Sequence, residues 1–484
     1  MKLRGKQRLI IGIFLVAIAN AIMLWLLHLD GLNGPNTFFR DLMMQKSVQR
    51  PDPRITIVAI DDKSLQTYGR LGAWDRAHYA DLIRSLKDAG ARVVAFDVAF
   101  IDPTPSDPRI AQAIQYAQSG SAPMTVAMAV EGDQLVARPP GQGLAYQFFD
   151  PITRGIAAGR PLPANVTVDP DGASVRHLPL RAISKTETFY LLPLVAANAY
   201  LGLPPLEQSA KLQPSALLAA RRSIPTDPTY RMLVNFVGPP HSFASASLSD
   251  VADRKIDLST FKDKLVFVGE YGSTMLADNY PVPTATEAKP KMDGVEIWAN
   301  GAQNILNGKF VVDEDAVITA VLLVLLSCLA AASFFLWGAA GWLVALATVG
   351  VYSLARFLLT VSQLNSATNS AGTISLPGLV YVDGGILLAS ALPFLYFFMY
   401  EQGSKRTIRR MFGKYVTPEV AEHIMSMRES GELSLGGQVK DATIMFGDIR
   451  GFTTLSEGME PEAVMAMLNR YFDKMVEIII KHGG

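Results

Sequence analysis

A single cysteine, Cys328, occurs among the 484 residues, and it lies inside an apolar run. No disulfide can therefore form within the chain, whichever side of a membrane its folded parts occupy. The six histidines are scattered without metal-ligand spacing, which gives a metal-hydrolase interpretation little support. Neither sign of charge is in excess, because 44 basic residues balance 44 acidic ones. Since no region forms a basic stripe, the sequence predicts no nucleic-acid partner.

Apolar residues are abundant, at 49% of the chain, and the mean hydropathy of +0.22 points to a membrane. The length predicts about three domains. The first apolar run, residues 9–27, follows four basic residues and is about 19 residues long, enough to cross the hydrocarbon core. A cleaved signal peptide is the alternative. We favour an uncleaved anchor because the run is long and no A-x-A site follows it.

Three further apolar runs lie near the spanning length, with buried core helices as the alternative interpretation. One of them carries Arg356 near its end, where the side chain can reach the interface. Four spans place both termini on one side, and the basic residues flanking the first and last spans place that side in the cytoplasm. The predicted segments are a cytoplasmic N-terminus (1–8), an anchor (9–29), an extracytoplasmic domain (30–314), spans at 316–337, 340–361 and 376–400, a cytoplasmic coupling helix and linker (401–437), and a C-terminal segment (438–484).

The large segment after the first span has the pattern of an α/β domain. Strands are predicted at 54–60 and 92–96, with a helix at 76–89 between them. This βαβ order predicts parallel strands. A later strand at 264–268 and a helix at 294–307 extend the same architecture.

Carboxylates follow the predicted strand ends, where open α/β sheets bind their ligands. The sequence therefore predicts a carboxylate-lined sensor pocket, with helix capping and turn formation as an equally weighted alternative. The candidate pocket residues are Asp61, Asp62, Asp97, Glu270 and Asp278, with Asp102 in a neighbouring loop.

The most informative stretch is residues 441–456. An apolar run of strand character, Ala442–Phe446, ends just before a carboxylate, Asp448. Gly451 permits a tight turn, and an amphipathic helix starting near Ser456 follows. An acid at a strand end beside such a turn suits a hard cation that carries phosphates. The alternative is that Asp448 only caps a turn.

Residues Phe446–Thr453 read F-G-D-I-R-G-F-T and resemble the first metal-binding motif, F-x-D-I-x-G-F-T, of the class III nucleotide cyclase catalytic domain. The resemblance implies the start of an α+β, ferredoxin-like domain. It also implies attack of a ribose 3′ oxygen on the α-phosphate of ATP or GTP, with release of pyrophosphate. The family uses two divalent ions per site, Mg²⁺ or Mn²⁺, and forms its sites in a homodimer.

By this resemblance, Asp448 ligates both ions and the backbone carbonyl of Ile449 ligates one. Gly451, Phe452 and Thr453 lie where the turn meets the triphosphate. Core packing is an equally good role for Phe452. The family's second metal-binding aspartate, its base-selecting residues and its transition-state Asn and Arg have no counterpart up to Gly484. We therefore expect the 484-residue chain to be a catalytically incomplete fragment.

Residues 35–310 resemble the type 2 CHASE domain, a family of extracytoplasmic sensors attached to cyclases, histidine kinases or protein kinases. The sequence departs from the family pattern at Trp298, where many members carry histidine. It rests on Ile57–Leu65, Asp75-Arg76, Ala89–Ala91, Val94–Asp97, Val266–Gly269, Asp278 and Met292–Asn300.

Residues Met411–Val420 resemble the F-G-x-Y-V-x-P-E-V element that often precedes class III cyclase domains. They are a candidate coupling element. The alternative is a juxtamembrane helix whose basic residues contact anionic lipid. Both descriptions are compatible.

The sequence thus predicts a receptor adenylate cyclase of the plasma (inner) membrane, with an outer sensor for an unknown ligand. Adenylate is favoured because most relatives joined to this sensor make cyclic AMP, and guanylate remains the alternative. Another hypothesis is a receptor whose cyclase-like end is a non-catalytic dimerisation module. Residues 440–456 contain no phosphoacceptor-His box or kinase glycine loop, and no G-G-D-E-F string occurs, so kinase and diguanylate cyclase interpretations are disfavoured.

Overall fold

The computed structural model describes residues 5–100, 102–130, 132–137, 144–148, 154–168, 174–184, 187–366, 371–412 and 443–482. The chain divides into two compact units, Met1–Gln402 and Gly403–Gly484. The first unit holds the α/β domain and the apolar helices. The second holds the residues that resemble a cyclase.

In chain order the strands are β1 (Ile55–Ile60), β2 (Val93–Phe96), β3 (Thr125–Val130), β4 (Gly132–Ala137), β5 (Leu144–Phe148), β6 (Leu162–Asn165), β7 (His177–Pro179), β8 (Arg181–Ile183), β9 (Thr188–Tyr190), β10 (Lys211–Gln213), β11 (Ala216–Ala219), β12 (Arg222–Pro225), β13 (Arg231–Leu233), β14 (Ser245–Ser247), β15 (Leu265–Glu270), β16 (Asn279–Tyr280), β17 (Met292–Asp293), β18 (Lys309–Asp313) and β19 (Gly372–Leu376). The helices are α1 (Gly5–His28), α2 (Asn33–Gln45), α3 (Asp62–Tyr68), α4 (Ala77–Asp88), α5 (Asp107–Gln118), α6 (Arg154–Ala157), α7 (Leu192–Tyr200), α8 (Leu206–Ser209), α9 (Leu248–Ala252), α10 (Gly294–Asn307), α11 (Ala316–Trp337), α12 (Gly341–Asn365), α13 (Leu379–Phe412), α14 (Phe452–Ser456) and α15 (Pro461–Lys481).

A six-stranded sheet organises the α/β domain, with strand order β14-β1-β15-β2-β3-β6 and every neighbouring pair parallel. Successive side chains of a strand point to opposite faces. In β1, Ile57 and Ala59 therefore join one apolar core, whereas Val58 and Ile60 join the other. Helices cover both faces, which explains why these strands are apolar along their whole length.

The predicted parallel βαβ arrangement is present, with one addition. The strands β1 and β2 are parallel, but β15 lies between them and pairs with both. Thus Val268 pairs with Val58 on one side and with Phe96 on the other. A strand from late in the chain therefore places its end beside the ends of the first two.

Four helices in the described part of the chain are long and apolar enough to cross a membrane: Lys6–His28, Ala316–Trp337, Gly341–Asn365 and Leu379–Tyr400. Polar contacts join them. The Ser327 hydroxyl on α11 donates to Asn20 Oδ1 on α1 at 2.7 Å. The predicted interfacial Arg356 on α12 forms an ion pair with Glu314, just before α11, and Glu314 is 3% exposed. Hydrogen bonds of this kind hold apolar helices together where water is absent.

The α/β domain is joined to these helices by a strand pair. The strand β18 follows α10 directly and pairs in parallel with β19, which precedes α13. Val311 and Ile374 are paired partners, and both are buried in an apolar cluster with Met43 of α2 and Leu364 of α12. Two segments that enter the membrane are therefore fixed to the domain by backbone hydrogen bonds and a shared core.

The C-terminal unit departs from one prediction. Residues 443–449 form no strand, and Phe446 is 94% exposed. A strand needs a neighbour to satisfy its backbone groups, and no described strand pairs with this run. Gly451 does adopt a left-handed turn, with φ of 74°, and α15 begins at Pro461, a favoured first helical residue. The predicted coupling element, 411–420, lies largely outside the described residues.

Candidate functional site

A cavity of about 490 Å³ lies beyond the carboxyl ends of the central strands. We call it the sheet-edge cavity. Parallel strands end at the same edge, so residues at five strand ends converge there. Those residues are Ile60 of β1, Asp97 after β2, Ala129 of β3, Val166 after β6 and Glu270 of β15. Ligand-binding pockets commonly have this location and a volume of a few hundred Å³.

Four carboxylates line the sheet-edge cavity: Asp97, Asp102, Glu270 and Asp278. Two of them are directly linked, because Glu270 Oε2 accepts a hydrogen bond from the Asp278 backbone N–H at 2.9 Å. Burial raises the pKa of the Glu270 carboxyl, and the nearby Asp278 and Asp293 carboxylates raise it further. Burial also raises the pKa of Asp278. The site therefore concentrates negative charge in a partly desolvated space.

Asp278 is held against the start of α10. Its backbone carbonyl accepts the Gly294 N–H at 2.9 Å. Its side chain is so close to Gly294 that a Cβ built there would lie 2.5 Å from Asp278 Oδ2. The missing side chain of Gly294 therefore makes room for the carboxylate.

One cation, Arg76, also lines the sheet-edge cavity. Its Nη1 donates to Asp107 Oδ1 at 2.9 Å, and the Asp107 side chain is 2% exposed. The guanidinium also lies 5.3 Å from the centre of the Phe100 ring. Because Asp107 already neutralises Arg76, the four lining carboxylates leave the cavity with a net negative lining.

Aromatic side chains supply much of the remaining wall. The cavity is lined by Trp74, Tyr79, Phe100, Tyr280 and Trp298. Trp298 is 1% exposed, yet its Nε1–H has no hydrogen-bond partner among the described residues. A buried indole N–H normally finds a partner, and this unsatisfied one belongs to a residue of the cavity wall.

The other two predicted pocket residues, Asp61 and Asp62, are outside the described lining of the sheet-edge cavity. Asp61 caps α3, accepting the Ser64 N–H at 2.9 Å, and it also accepts the Ser247 hydroxyl at 2.8 Å. Asp62 accepts the hydroxyl of Thr274 at 2.7 Å and its N–H at 2.9 Å. Asp61 therefore has the helix-capping role of the alternative interpretation, whereas these two donors to Asp62 come from a residue 212 positions away.

A further carboxylate, Glu296, is fully buried at the third residue of α10. It accepts the backbone N–H groups of His241 and Ser242, at 2.8 and 2.7 Å. Burial raises its pKa, although these two hydrogen bonds oppose that rise. Glu296 thus fixes the position of the helix that carries Trp298.

The Asp448 carboxylate, in the C-terminal unit, is exposed, and its Oδ1 accepts the Ile449 N–H at 2.8 Å. The Ile449 carbonyl accepts the Phe452 N–H at 3.2 Å. A carboxylate and a carbonyl are hard oxygen donors that fit Mg²⁺ or Mn²⁺, and each keeps a free lone pair here. The Phe452 N–H is committed to this turn. No described group of three or more His, Cys, Asp or Glu is arranged to hold a metal.

Residues 13–343 match the CHASE2 domain, over more than half of the chain. The chain belongs to the CHASE2 domain family. Residues 437–484 of this CHASE2 protein match the adenylate and guanylate cyclase catalytic domain. No solved structure matches the chain.

A 76-residue part of the CHASE2 protein is 42% identical to "Adenylate cyclase 1" of Rhizobium meliloti (strain 1021). That part is 15% of this chain and 11% of the relative. The chain thus spans about a tenth of the length of the curated relative it matches. The similarity is local, and most of that relative's length lies outside the matched part.

In this CHASE2 protein, the departure from the family pattern at Trp298 falls on the wall of the sheet-edge cavity. The pairing of Arg76 with Asp107 and the role of Glu296 were missed by sequence reasoning. The segment Met292–Asn300 does indicate a structural role for Glu296, because the helix dipole favours an acid in the first turn of an otherwise apolar helix. Nothing in the sequence indicated its partners, which lie 55 and 54 residues away.

Proposed function

We propose that this chain is the sensory and membrane part of a receptor adenylate cyclase, which converts ATP to cyclic AMP and pyrophosphate in response to an extracytoplasmic ligand. The observation that carries the proposal is one chain that joins a CHASE2 domain to the cyclase motif centred on Asp448. The choice of adenylate is supported by the name of the relative that is 42% identical over 76 residues.

The proposed orientation follows from charge. Basic residues cluster before α1 and after the apolar part of α13: Lys2, Arg4, Lys6 and Arg8, then Lys405, Arg406, Arg409 and Arg410. Such clusters remain in the cytoplasm. The α/β domain then lies outside, and the cyclase motif lies inside. In this orientation the basic residues would contact the anionic lipid of the cytoplasmic leaflet.

In the catalytic part, Asp448 and the Ile449 carbonyl would hold divalent ions. These ions, when bound, neutralise the triphosphate and activate the attacking oxygen. Gly451 supplies the left-handed turn that sets the direction of the following residues, and its φ is 74°. With Phe452 and Thr453, it forms the proposed triphosphate contact. Two chains would form the complete site, as a homodimer.

The sheet-edge cavity is the proposed sensor pocket, with Asp97, Glu270 and Asp278 as ligand-contacting residues. Its link to the membrane is short. The helix α10 carries Trp298 in the cavity wall and ends at Asn307, and β18 begins two residues later. A ligand that shifts α10 would thus act on β18, β19 and the attached spans.

The test uses the full-length gene product in membranes of a host that lacks its own cyclase, with ATP or GTP and Mn²⁺. We expect cyclic AMP from ATP, and at least about a hundredfold loss in Asp448→Asn because a metal ligand is removed. The matched control is Asp473→Asn, an exposed aspartate on α15. Cyclic GMP as the main product would establish the guanylate alternative. No cyclic nucleotide of either kind would favour a non-catalytic dimerisation module.

A further inference from the structure

The sheet-edge cavity has a chemistry that identifies the class of its ligand, and this inference rests on the proposed sensor role of the cavity. We propose that it binds a small organic cation: a protonated amine that also carries a hydrogen-bond-accepting oxygen. Three independent features of the lining lead to this class of molecule. They are its net charge, its aromatic walls and one unsatisfied donor.

The charge of the lining favours a cation. The carboxylates of Asp97, Asp102, Glu270 and Asp278 line the cavity, and Arg76, the one cation among the described lining residues, is already paired with Asp107 at 2.9 Å. A partly desolvated group of acids is stabilised by a positive charge placed among them. An anionic ligand would add to the repulsion.

The walls favour an organic cation over a metal ion. The rings of Trp74, Tyr79, Phe100, Tyr280 and Trp298 line the same space. Aromatic faces attract ammonium groups, and rings that enclose them form a common recognition site for organic cations. By contrast, the described residues contain no cluster of His, Cys, Asp and Glu arranged to hold a metal. The volume of about 490 Å³ also far exceeds that needed for an ion.

The unsatisfied Trp298 donor in the cavity wall is the reason to expect an acceptor on the ligand. The Trp298 Nε1–H has no partner among the described residues, although the residue is 1% exposed. Leaving a buried donor unsatisfied is unfavourable. A hydroxyl or carbonyl oxygen on the ligand would satisfy it, which a simple metal cation or an alkylammonium ion cannot do.

The experiment uses three test ligands of one shape and different charge: tyramine as the cation, 2-(4-hydroxyphenyl)ethanol as the neutral analogue and 3-(4-hydroxyphenyl)propionate as the anion. Each carries a phenolic oxygen for the Trp298 donor. Binding to the whole chain in lipid nanodiscs is measured by calorimetry and by the shift of the unfolding temperature. We expect tyramine to bind at least tenfold more tightly than the neutral analogue, and the anion to show no saturable binding up to 10 mM, a ceiling chosen to cover weak binding of about 1 mM.

Three variants locate the binding. Asp278→Asn and Glu270→Gln keep the shape and remove one charge each, so each is expected to weaken tyramine binding about tenfold or more. The control, Glu287→Gln, removes an exposed carboxylate outside the cavity lining and should leave the affinity unchanged. Equal binding of the cation and the neutral analogue, tighter binding of the anion, equal losses in all three variants, or no binding of any test ligand would each overturn the proposal.

The proposed enzymatic function and the proposed ligand class are tested by separate measurements. Cyclic nucleotide formation is measured without any test ligand and depends on Asp448, whereas the binding assay requires no catalysis and compares variants of the cavity with Glu287→Gln. Selective tyramine binding by the chain, with no cyclic nucleotide formed by the full-length gene product, would support the ligand class and overturn the cyclase proposal. Cyclic AMP formation without cation-selective binding would do the reverse.

Discussion

Replacement of Glu296 by alanine tests how the position of α10 is fixed. The carboxylate is fully buried and accepts two backbone hydrogen bonds, from His241 at 2.8 Å and Ser242 at 2.7 Å. Alanine would leave both partly buried N–H groups without their partner. Hydrogen bonds to a charged group contribute about 1.5–3 kcal/mol each, which gives about 3–6 kcal/mol for the two.

The lower end of that range is the better estimate because the buried charge is itself unfavourable. Burial raises the pKa of Glu296, so the two hydrogen bonds do not fully compensate for lost solvation. A loss of about 3 kcal/mol would lower the unfolding temperature of a domain of this size by roughly 6–12 °C. Glu296→Gln keeps one acceptor oxygen and is expected to lose less.

The assay is thermal unfolding of the whole chain in lipid nanodiscs, followed by tryptophan fluorescence. The buried indole of Trp298, on the same helix, reports on this region. The matched control is Glu287→Ala, an exposed glutamate whose loss should change stability by no more than about 0.5 kcal/mol. If Glu296→Ala unfolds within about 1 °C of the wild type, the two hydrogen bonds do not have the assigned role.

The pH dependence provides a second check on Glu296. Its pKa is raised in the folded protein, so the folded state holds this proton more tightly than the unfolded state. Its contribution to the free energy of unfolding is therefore greatest below the ordinary pKa of 4.5 and declines as the pH rises through the raised value. Glu296→Gln removes the titration, so the gap between wild type and this variant should narrow with rising pH. A gap that widens would contradict the assignment.

Three other substitutions have defined outcomes. Gly294→Ala places a Cβ 2.5 Å from Asp278 Oδ2 and should destabilise the domain by about 1–3 kcal/mol, measured as a lower unfolding temperature; wild-type stability would show that the carboxylate moves freely. Arg356→Gln leaves Glu314, 3% exposed, without its cation and should cost about 3 kcal/mol in nanodiscs, with most of the loss recovered when Glu314→Gln is added. Gly451→Ala strains a turn with φ of 74° by about 1–2 kcal/mol and should lower cyclic nucleotide formation by the full-length gene product about tenfold, without changing the unfolding temperature of the membrane unit.

Part of the sheet-edge cavity could be predicted because it follows from one rule. Residues after parallel strands meet at one edge, so Asp97 and Glu270 were expected to lie close together, and they line the same cavity. The rule does not tell which of these acids instead accept hydrogen bonds from other parts of the domain. Asp61 also follows a strand, but Ser64 and Ser247 donate to its carboxylate. Which donors surround an acid depends on tertiary packing that periodicity does not encode.

The order of the strands was beyond sequence reasoning for a similar reason. The apolar runs of β1, β2 and β15 each predict a buried strand, but they do not state which pairs with which. Phe267 pairs with Ile57, about 210 residues before it, and with Ala95, about 170 residues before it. The run 443–446 is the opposite case: the local pattern is right for a strand, but the described part of the chain offers it no partner, and no strand forms there.

The helix α10 joins the two regions that a receptor has to couple. In its first turn, Gly294 contacts Asp278, and Glu296 fixes the helix through its hydrogen bonds. Trp298, in the second turn, lines the cavity. The strand β18 begins just after the helix ends. A rigid helix transmits a displacement along its length, whereas a loop would absorb it. Since β18 is paired along its full length with β19, any shift of α10 changes the positions of the strands before both α11 and α13. Under the proposed sensor function, a ligand in the sheet-edge cavity would act on the spans through differential contact with α10, which is why Trp298 and the acids around it carry the sensing hypothesis.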